Sequence, residues 1–328
     1  MIDNIKITLN NFSGNFINCD YAGEEKYDRL YTLSNKNKSY KLYVKQNKNT
    51  GKVVITRSLR KWFFNKGSLL DLNLSSLKKS MKMIASELNI PLSELCKGKI
   101  TQCEIGQNVK VKIPATEIIP RIVDYARFSR KSIKDETLYF NGTSKKVIIY
   151  DKLKEIGDNG NESKRGAMKL LRDKGYHFLR IEFKLFNQKS FNQSDMHYIS
   201  TVGDLIIHYH NLYEFWVSQV NRLVLFSTIE KDIQNMSKNE YLIGVGLNHE
   251  GFEKFVKDYQ DLCKSKTKNG LKSARSKAYK EVINVLDKYS SNQEYGKKSL
   301  KVDITKHLLN KRKQEELDIS LLIKKLWS

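Results

Sequence analysis

The segment HFLRIEFKLF alternates between apolar and charged side chains from Leu179 to Leu185. Alternate side chains of an extended strand share a face, so this pattern predicts a strand with one buried face. The side chains predicted to face the core are Leu179, Ile181, Phe183 and Leu185. The other face carries Arg180, Glu182 and Lys184. Such a face is often a solvated ladder of charges, and it is equally compatible with a phosphate-binding face that includes one metal ligand.

Several other segments before residue 190 have recognisable patterns. Strands are predicted within residues 1–60, where the polar turn QNKNTGK separates two of them, at KITQCEIGQNVKVKI, and in a hairpin around Asn141–Gly142. Helices are predicted at the periodic residues Leu77, Met81, Ile84 and Leu88 and at ATEIIPRIVDYARF, and a polar loop is predicted at EIGDNGNESKRG.

From about residue 190 the pattern becomes helical. Apolar residues keep a helical period from Leu205 to Leu223, and SARSKAYKEVINVLDKY and ISLLIKKLW have the same character. We therefore predict the α+β class, with an antiparallel sheet that carries helices on one face in residues 1–190. Residues 191–328 are predicted to form a helical C-terminal extension.

The charge of the chain favours a polyanionic partner. Lys and Arg number 59 against 36 Asp and Glu, a formal net charge of +23, and every phosphate that a cation neutralises releases counterions. This balance does not separate DNA from RNA or from an anionic membrane, and a lysine-rich solvated surface is the alternative. We expect a cytoplasmic protein without a membrane partner, because no apolar stretch approaches the roughly 20 residues of a membrane helix and the N-terminus has no apolar signal segment. The four cysteines show no metal-binding spacing.

A second polar face is predicted on the strand around Glu104. Gln102, Glu104, Gly106 and Asn108 would point the same way, and the missing side chain of Gly106 would allow a backbone or a metal ion to approach. Glu104 and Glu182 on neighbouring strands would suit Mg²⁺ or Mn²⁺, which prefer oxygen ligands. A solvated face with a glycine bulge is the alternative, and the spacing alone favours it.

Tyr150 ends an apolar strand in VIIYDKLKE. A free phenol has a pKa near 10 and is a poor nucleophile, but adjacent lysines would favour the phenolate and hold a phosphate. The alternative is one ordinary tyrosine among 17. His208 and His210 spell a metal motif that requires a strand, and we reject it because on a helix these two residues point roughly 200° apart.

The order of these motifs resembles a known family. TLYFNGTSKKVIIYDKLKE followed by LRIEFKL resembles plasmid replication initiators of the Rep_trans type, which carry a Tyr-Phe-Gly segment, an Ile-Tyr-Asn/Asp-Lys-x-x-Glu segment and an Arg-x-Glu strand. KGSLLDLNLSSLKKSMKMIASELNI and ITQCEIGQNVKV resemble the phage and plasmid gene II/X replication proteins. The resemblance spans Arg57 to Leu185 and implies a HUH-nuclease or Rep-like fold.

The resemblance also implies a function, rolling-circle replication initiation in a bacterial cytoplasm. Tyr150 would nick one DNA strand at an origin, leaving a 5′-phosphotyrosine link and a free 3′-OH that host helicase and polymerase extend. Lys152 and Arg180 would offset charge on the phosphorane, and Glu104 and Glu182 would hold the metal ion. The match is imperfect at the first acid, where the family has Arg-x-Asp and this chain has Gln102 before Glu104.

Cations beside aromatic residues suit a single-stranded or cruciform origin, since bases stack on rings while cations contact phosphates. The residues predicted to contact DNA are Arg57, Arg60, Lys61, Trp62, Asn108, Lys154, Lys272 and Arg275. For the aromatic residues after Lys61, burial in the core is the alternative. The helical region would bind duplex origin DNA or mediate self-association as a homodimer. Two other functions share these features: a non-catalytic origin-binding or copy-control protein, and an RNA-binding protein.

Overall fold

A computed structural model describes residues 1–35, 40–64, 68–134, 136–194, 196–227, 229, 235–265, 267–289 and 300–306. Its centre is a ten-stranded antiparallel sheet in the order β2-β3-β4-β5-β1-β6-β11-β10-β9-β8. These strands are β1 (Ile2–Leu9), β2 (Asp20–Glu25), β3 (Asp28–Ser34), β4 (Lys41–Asn47), β5 (Val53–Ser58), β6 (Lys99–Val111), β8 (Ser129–Ile133), β9 (Thr137–Asn141), β10 (Lys145–Asp151) and β11 (His177–Leu185). A separate two-stranded sheet pairs β7 (Ile122–Tyr125) with β12 (Leu223–Leu225). The predicted α+β class and antiparallel sheet are confirmed.

The helices are α1 (Leu59–Phe64), α2 (Leu74–Glu87), α3 (Leu92–Cys96), α4 (Ala115–Ile118), α5 (Lys152–Asp158), α6 (Glu162–Asp173), α7 (Gln188–Asn192), α8 (Val202–Ile207), α9 (Asn211–Val220), α10 (Lys238–Glu250), α11 (Phe252–Asp261) and α12 (Lys268–Tyr289). The predicted helix around Leu77 is α2, and a capping box between Asn73 and Ser76 fixes its start. No helix in the described ranges has the length and the apolar character that crossing a membrane requires.

Three local predictions were wrong. The helical period predicted from Leu205 to Leu223 divides into α8 and α9, which are separated by a turn at residues 208–210, and Leu223 begins strand β12. The segment predicted as one helix from residue 115 is helical only to Ile118, followed by a 3₁₀ turn that contains Pro120 and then by strand β7. Proline lacks the N–H that a continuing helix needs, and β12 offers β7 a partner. The segment predicted as a polar loop forms α5 and α6, whose first turns are capped by the side chains of Asp151 and Asn161. The segment ISLLIKKLW lies outside the described residues.

The apolar face of the sheet forms the main hydrophobic core, and its residues extend past the boundary predicted at 190. Phe191, Leu205, Trp216 and Leu225 belong to the same buried cluster as Ile181. The Trp216 indole on α9 donates to the backbone oxygen of Ile181 at 3.0 Å. A second cluster, built around Ile229, Leu247 and Val282, joins α10 to α12. The domain boundary at 190 stays a prediction, but Phe191, Leu205, Trp216 and Leu225 beyond it pack as part of the sheet core.

Candidate functional site

Three buried carboxylates meet at the centre of the polar face of the sheet. Asp3, Glu104 and Glu182 are 2–4% exposed, and each offers an oxygen within 4.8 Å of the others. Glu104 lies on β6 and Glu182 on the adjacent β11, two residues apart in register. The structure thus brings together the two acids that the sequence proposed as metal ligands, and it adds a third. These three residues are called the acid cluster below.

A β-bulge explains why the alternation of the sequence missed Asp3. Ile2 pairs with Ile105 and Ile5 with Cys103, so two residues of β1 lie opposite the single residue Glu104. Both then reach the polar face. Asn4 Nδ2 donates to Glu104 Oε2 at 2.9 Å, while the Asp3 carboxylate joins the acid cluster.

Gly106 makes room for the cluster. A Cβ at this position would lie 2.8 Å from Glu182 Cγ and 3.0 Å from a terminal nitrogen of Arg180. The sequence predicted close approach by a backbone or a metal ion at this glycine. In the structure, the side chains of the neighbouring strand β11 occupy that space.

Arg180 holds the acids in place. Its guanidinium is fully buried and donates to Asp3 and Asp71 at 2.8 Å each and to Asn108 Oδ1 at 2.9 Å, and it also binds Glu182. Asp71 lies in the loop before α2, where no pattern in the sequence marked it. Arg180 is fully buried and all three of its side-chain nitrogens donate to protein groups, so the structure shows it positioning the acids; its predicted offset of charge on the phosphorane stays a prediction.

Arg60 on α1 adds a second buried cation, and its Nε donates to Asp3 Oδ2 at 2.9 Å. Burial alone would raise the pKa of Asp3, but the charges of Arg60 and Arg180 and a hydrogen bond from Ser58 hold that pKa well below its usual value. Asp3 is therefore ionised and its oxygens already accept hydrogen bonds. The prediction that Arg60 contacts DNA is corrected, because its side chain is 1% exposed.

Glu104 shows the opposite behaviour. Burial and the nearby charges of Glu182 and Asp3 raise the pKa of Glu104 well above its usual value. Its nearest cation is Lys184, whose Nζ lies 3.9 Å away. Glu104 therefore tends to keep a proton, which reduces the repulsion between the carboxylates of the acid cluster. A divalent cation bound between the same carboxylates would replace that proton.

The donor chemistry fits a hard metal ion. Four carboxyl groups, those of the acid cluster and Asp71, lie beside the two buried guanidinium groups of Arg60 and Arg180, and Lys184 approaches Glu104 from the surface. Since the oxygens of Asp3 are already engaged, Glu104 and Glu182 are the better-placed ligands. Their oxygen donors match the preferences of Mg²⁺ and Mn²⁺.

Tyr150 lies beside this cluster. Its hydroxyl donates to Glu182 Oε1 at 3.0 Å. Burial and the charge of Glu182 raise the pKa of Tyr150 well above its usual value, whereas the sequence predicted that adjacent lysines favour the phenolate. The phenol is thus held protonated, with its proton directed at a carboxylate.

Lys152, which was predicted to offset charge on the phosphorane, lies inside the protein. Its side chain is 1% exposed and its Nζ binds Glu155 Oε2 at 2.7 Å. Burial, followed by the charges of Arg60 and Arg180, lowers the pKa of Lys152 to about 8. Lys61, predicted to contact DNA, binds the other oxygen of Glu155 at 3.4 Å.

A cleft of about 370 Å³ gives access to Tyr150. Tyr150, Glu182, Tyr139, Lys154 and Glu155 are among the residues that line it. Lys154 is ion-paired with Glu136 and its side chain is 33% exposed. Of the cations predicted around the tyrosine, Lys154 is the one that lines this cleft.

The remaining predicted DNA contacts divide between the core and the surface. Trp62 is 1% exposed and its indole donates to Leu33 O at 3.1 Å, so the predicted base stacking on Trp62 is corrected. Asn108 is also buried, and its Nδ2 donates to Leu69 O at 2.7 Å, which corrects its predicted DNA contact. Lys272 and Arg275 are exposed on α12, where Arg275 pairs with Asp261 at 2.9 Å.

Comparison with protein-family models, with curated proteins and with solved structures found no match to this chain. The functional interpretation therefore depends on the geometry of the site and on the sequence motifs.

Proposed function

We propose that this chain is a metal-dependent DNA-nicking enzyme that initiates rolling-circle replication. The single observation that carries the proposal is the hydrogen bond from the Tyr150 hydroxyl to Glu182, a member of the acid cluster. A nucleophile, a proton acceptor and candidate metal ligands converge there from β10, β11, β6 and β1. The resemblance to replication initiators and the net charge of +23 support DNA as the substrate.

The reaction is a transesterification. The Tyr150 oxygen attacks a phosphorus atom of the DNA backbone as its proton passes to Glu182, and the bond from phosphorus to the 3′ oxygen breaks. The 3′ oxygen takes a proton from water, leaving a 3′-OH and a 5′-phosphotyrosine. When held by Glu104 and Glu182, Mg²⁺ or Mn²⁺ would supply Lewis-acid stabilisation of the phosphate charge. Lys154 on the cleft wall is the cation available to the phosphate.

The wider assignment follows from the same proposal. The antiparallel sheet with its acid cluster and tyrosine on one face is compatible with a HUH-nuclease or Rep-like fold. The DNA would be a single-stranded or cruciform origin in a bacterial cytoplasm, with host helicase and polymerase acting on the 3′-OH. The exposed cations of α12 would contact duplex DNA, and the helical region would alternatively support a homodimer.

Covalent capture tests the proposal. Pooled single-stranded oligonucleotides labelled at the 3′ end are incubated with protein and Mn²⁺, and denaturing gels detect label attached to the protein. We expect an adduct with the wild type and a loss on the order of 10⁴-fold or more with Tyr150→Phe, as for removal of other nucleophiles. Tyr139→Phe, altered in the same cleft, is the matched control and should form the adduct normally.

Two results would contradict the proposal. An undiminished adduct with Tyr150→Phe would remove the nucleophile assigned here. DNA binding without any adduct, by folded wild-type protein supplied with Mn²⁺ and its own origin, would instead indicate a non-catalytic origin-binding protein.

A further inference from the structure

Two pairs of a tyrosine ring and a cation flank the acid cluster. The Arg57 guanidinium lies 4.0 Å from the centroid of the Tyr43 ring, and Lys146 Nζ lies 4.3 Å from that of Tyr139. Tyr43 is 47% exposed, so much of its ring remains accessible beside Arg57. Rings of this kind, accompanied by cations, are the elements from which single-strand binding surfaces are built.

The register of the sheet places Tyr43 on the same face as the acid cluster. Tyr43 pairs with Thr56 on β5, and Thr56 pairs with Lys6 on β1. Lys6 pairs with Gln102, which is two residues from Glu104 on β6 and therefore shares its face. Tyr43 lies three strands from Gln102, or about 14 Å at the usual strand spacing, and Glu104 is two residues farther along β6.

Tyr139 lies on the other side of the cluster. Glu182 pairs with Ile148 on β10, and Ile148 pairs with Tyr139 on β9. Tyr139 is therefore in the same row as Glu182, two strands or about 10 Å away. The two tyrosines bracket the acid cluster along a path of six strand intervals, roughly 29 Å.

Cations occupy the path between the rings. Lys6 is half-buried between Tyr43 and the acid cluster. On the far side, Lys184 is 36% exposed beside Glu104, followed by Lys146 on β10. This charge complements a polyanion, and the rings select one whose bases are unpaired, because a duplex keeps its base faces stacked.

We propose that single-stranded DNA lies across this face, with bases stacked on Tyr43 and Tyr139 and with phosphates bound by Lys6, Lys184 and Lys146. The inference rests on the proposed function, since it names the substrate path through that same site. The strand then crosses the acid cluster and brings one phosphate to the cleft beside Tyr150. This path replaces the stacking surface that the sequence had suggested at Trp62.

Fluorescence anisotropy tests the path without any cleavage. The probe is a labelled oligothymidylate of about 20 nucleotides, longer than the usual site of a single-strand binding fold, in EDTA with Tyr150→Phe protein. Tyr43→Ala and Tyr139→Ala should each weaken binding about tenfold, as expected for loss of one stacked base. Tyr43→Phe and Tyr139→Phe keep the ring and should bind normally.

Tyr27 provides the matched control. It is 53% exposed in the turn between β2 and β3, with Lys26 Nζ 5.0 Å from its ring centroid. Tyr27→Ala should leave the affinity unchanged. An abasic oligomer of the same length should bind more weakly to the parent protein and should no longer distinguish the alanine variants from it.

The salt dependence of binding tests the phosphate contacts. Lys6→Gln, Lys184→Gln and Lys146→Gln should each reduce the slope of log affinity against log salt concentration by about 0.7, the value for one phosphate contact on a single strand. As a folding control, the thermal melting of each variant is monitored by circular dichroism.

Each result separates the path from the nicking activity. Full affinity of both alanine variants, equal weakening by Tyr27→Ala, or tighter binding of duplex or of RNA of the same sequence would overturn the path. If the alanine variants bind as expected while the wild type forms no adduct with Mn²⁺, the nicking proposal fails and the path stands.

Discussion

Arg180 and Ile181 are neighbours on β11 and both are completely buried, yet they serve opposite faces of the sheet. Ile181 packs in the hydrophobic core beneath α9. Arg180 lies among three carboxylates and an amide. Burial of the apolar face stabilises the fold directly. Burial of the polar face removes charges from water, and the attraction between these charges only offsets the free energy of hydration that is lost.

This difference indicates which face was shaped by function. A set of buried ion pairs is weak evidence for stability, because apolar residues of similar volume often stabilise a fold as well or better. Glu104, whose raised pKa reflects burial next to other acids, is a net cost to the fold without a cation.

The largest effect is expected at Arg180. Arg180→Leu leaves Asp3 and Asp71 buried without this partner, so the free energy of unfolding should fall by about 3–5 kcal/mol. Arg180→Lys keeps the charge but cannot reach all four acceptors, so the free energy of unfolding of this variant should lie between those of the wild type and of Arg180→Leu. Urea denaturation followed by circular dichroism measures both. A loss under 1 kcal/mol for Arg180→Leu would mean that the acids are not desolvated as described.

On the apolar face, Ile181→Ala should destabilise the protein by roughly 3 kcal/mol, because it removes buried methyl groups and leaves a cavity in the core. This loss should be independent of pH and of Mn²⁺, since no charge changes. Urea midpoints at two pH values, with and without Mn²⁺, provide the measurement. A loss that varied with Mn²⁺ would break the separation of the two faces.

The sequence predicted much of this arrangement where the alternation is regular. The shared face of Glu104, Gly106 and Asn108, and that of Arg180 and Glu182, followed from a period of two residues. Strand neighbours could not be read from that period, because pairing is set by long-range contacts.

Local sequence patterns could not predict several other features of the site. The bulge in β1 places Asp3 and Asn4 on one face although alternation assigns them to opposite faces. Asp71 lies in a loop, where no alternation of side chains predicts its contact with Arg180. Arg60 and Trp62 looked like a basic aromatic surface, and only tertiary packing against Asp3 and Leu33 buries them.

A gain in stability is expected at Glu104. Its pKa is raised above 4.5, so the folded chain binds more protons than the unfolded chain between the two values, and wild-type stability falls as pH rises through that window. Glu104→Gln imitates the protonated acid at every pH. It should raise stability by about 1–2 kcal/mol above the window and leave it unchanged below pH 4.

Metal binding completes the test at this position. Mn²⁺ should raise the melting temperature of the wild type by mass action and should not raise that of Glu104→Gln. Differential scanning calorimetry with and without Mn²⁺ measures the melting temperatures of the wild type and of Glu104→Gln. An equal Mn²⁺ shift in the two proteins would place the metal ion away from Glu104.

The smallest effect concerns Lys152. Its pKa in the fold is about 8 rather than 10.5, so the unfolded chain binds more protons between these values and the cost of burying this charge is greatest below pH 8. Lys152→Met removes that cost. The stability of the variant relative to the wild type should therefore fall by about 1 kcal/mol between pH 7 and pH 9.

Lys61 binds the same carboxylate, that of Glu155, with a side chain that is 27% exposed. Lys61→Met is the matched control, because it removes the other cation bound to Glu155 while Lys152 stays buried, and it should keep the pH dependence that Lys152 gives the wild type. The lost partner of Glu155 shifts both variants by an amount that is constant over this range, so only the slope reports on Lys152. Parallel curves for Lys152→Met and the wild type would show that the ammonium group is hydrated, and the border of the polar face would then be open to solvent at this residue.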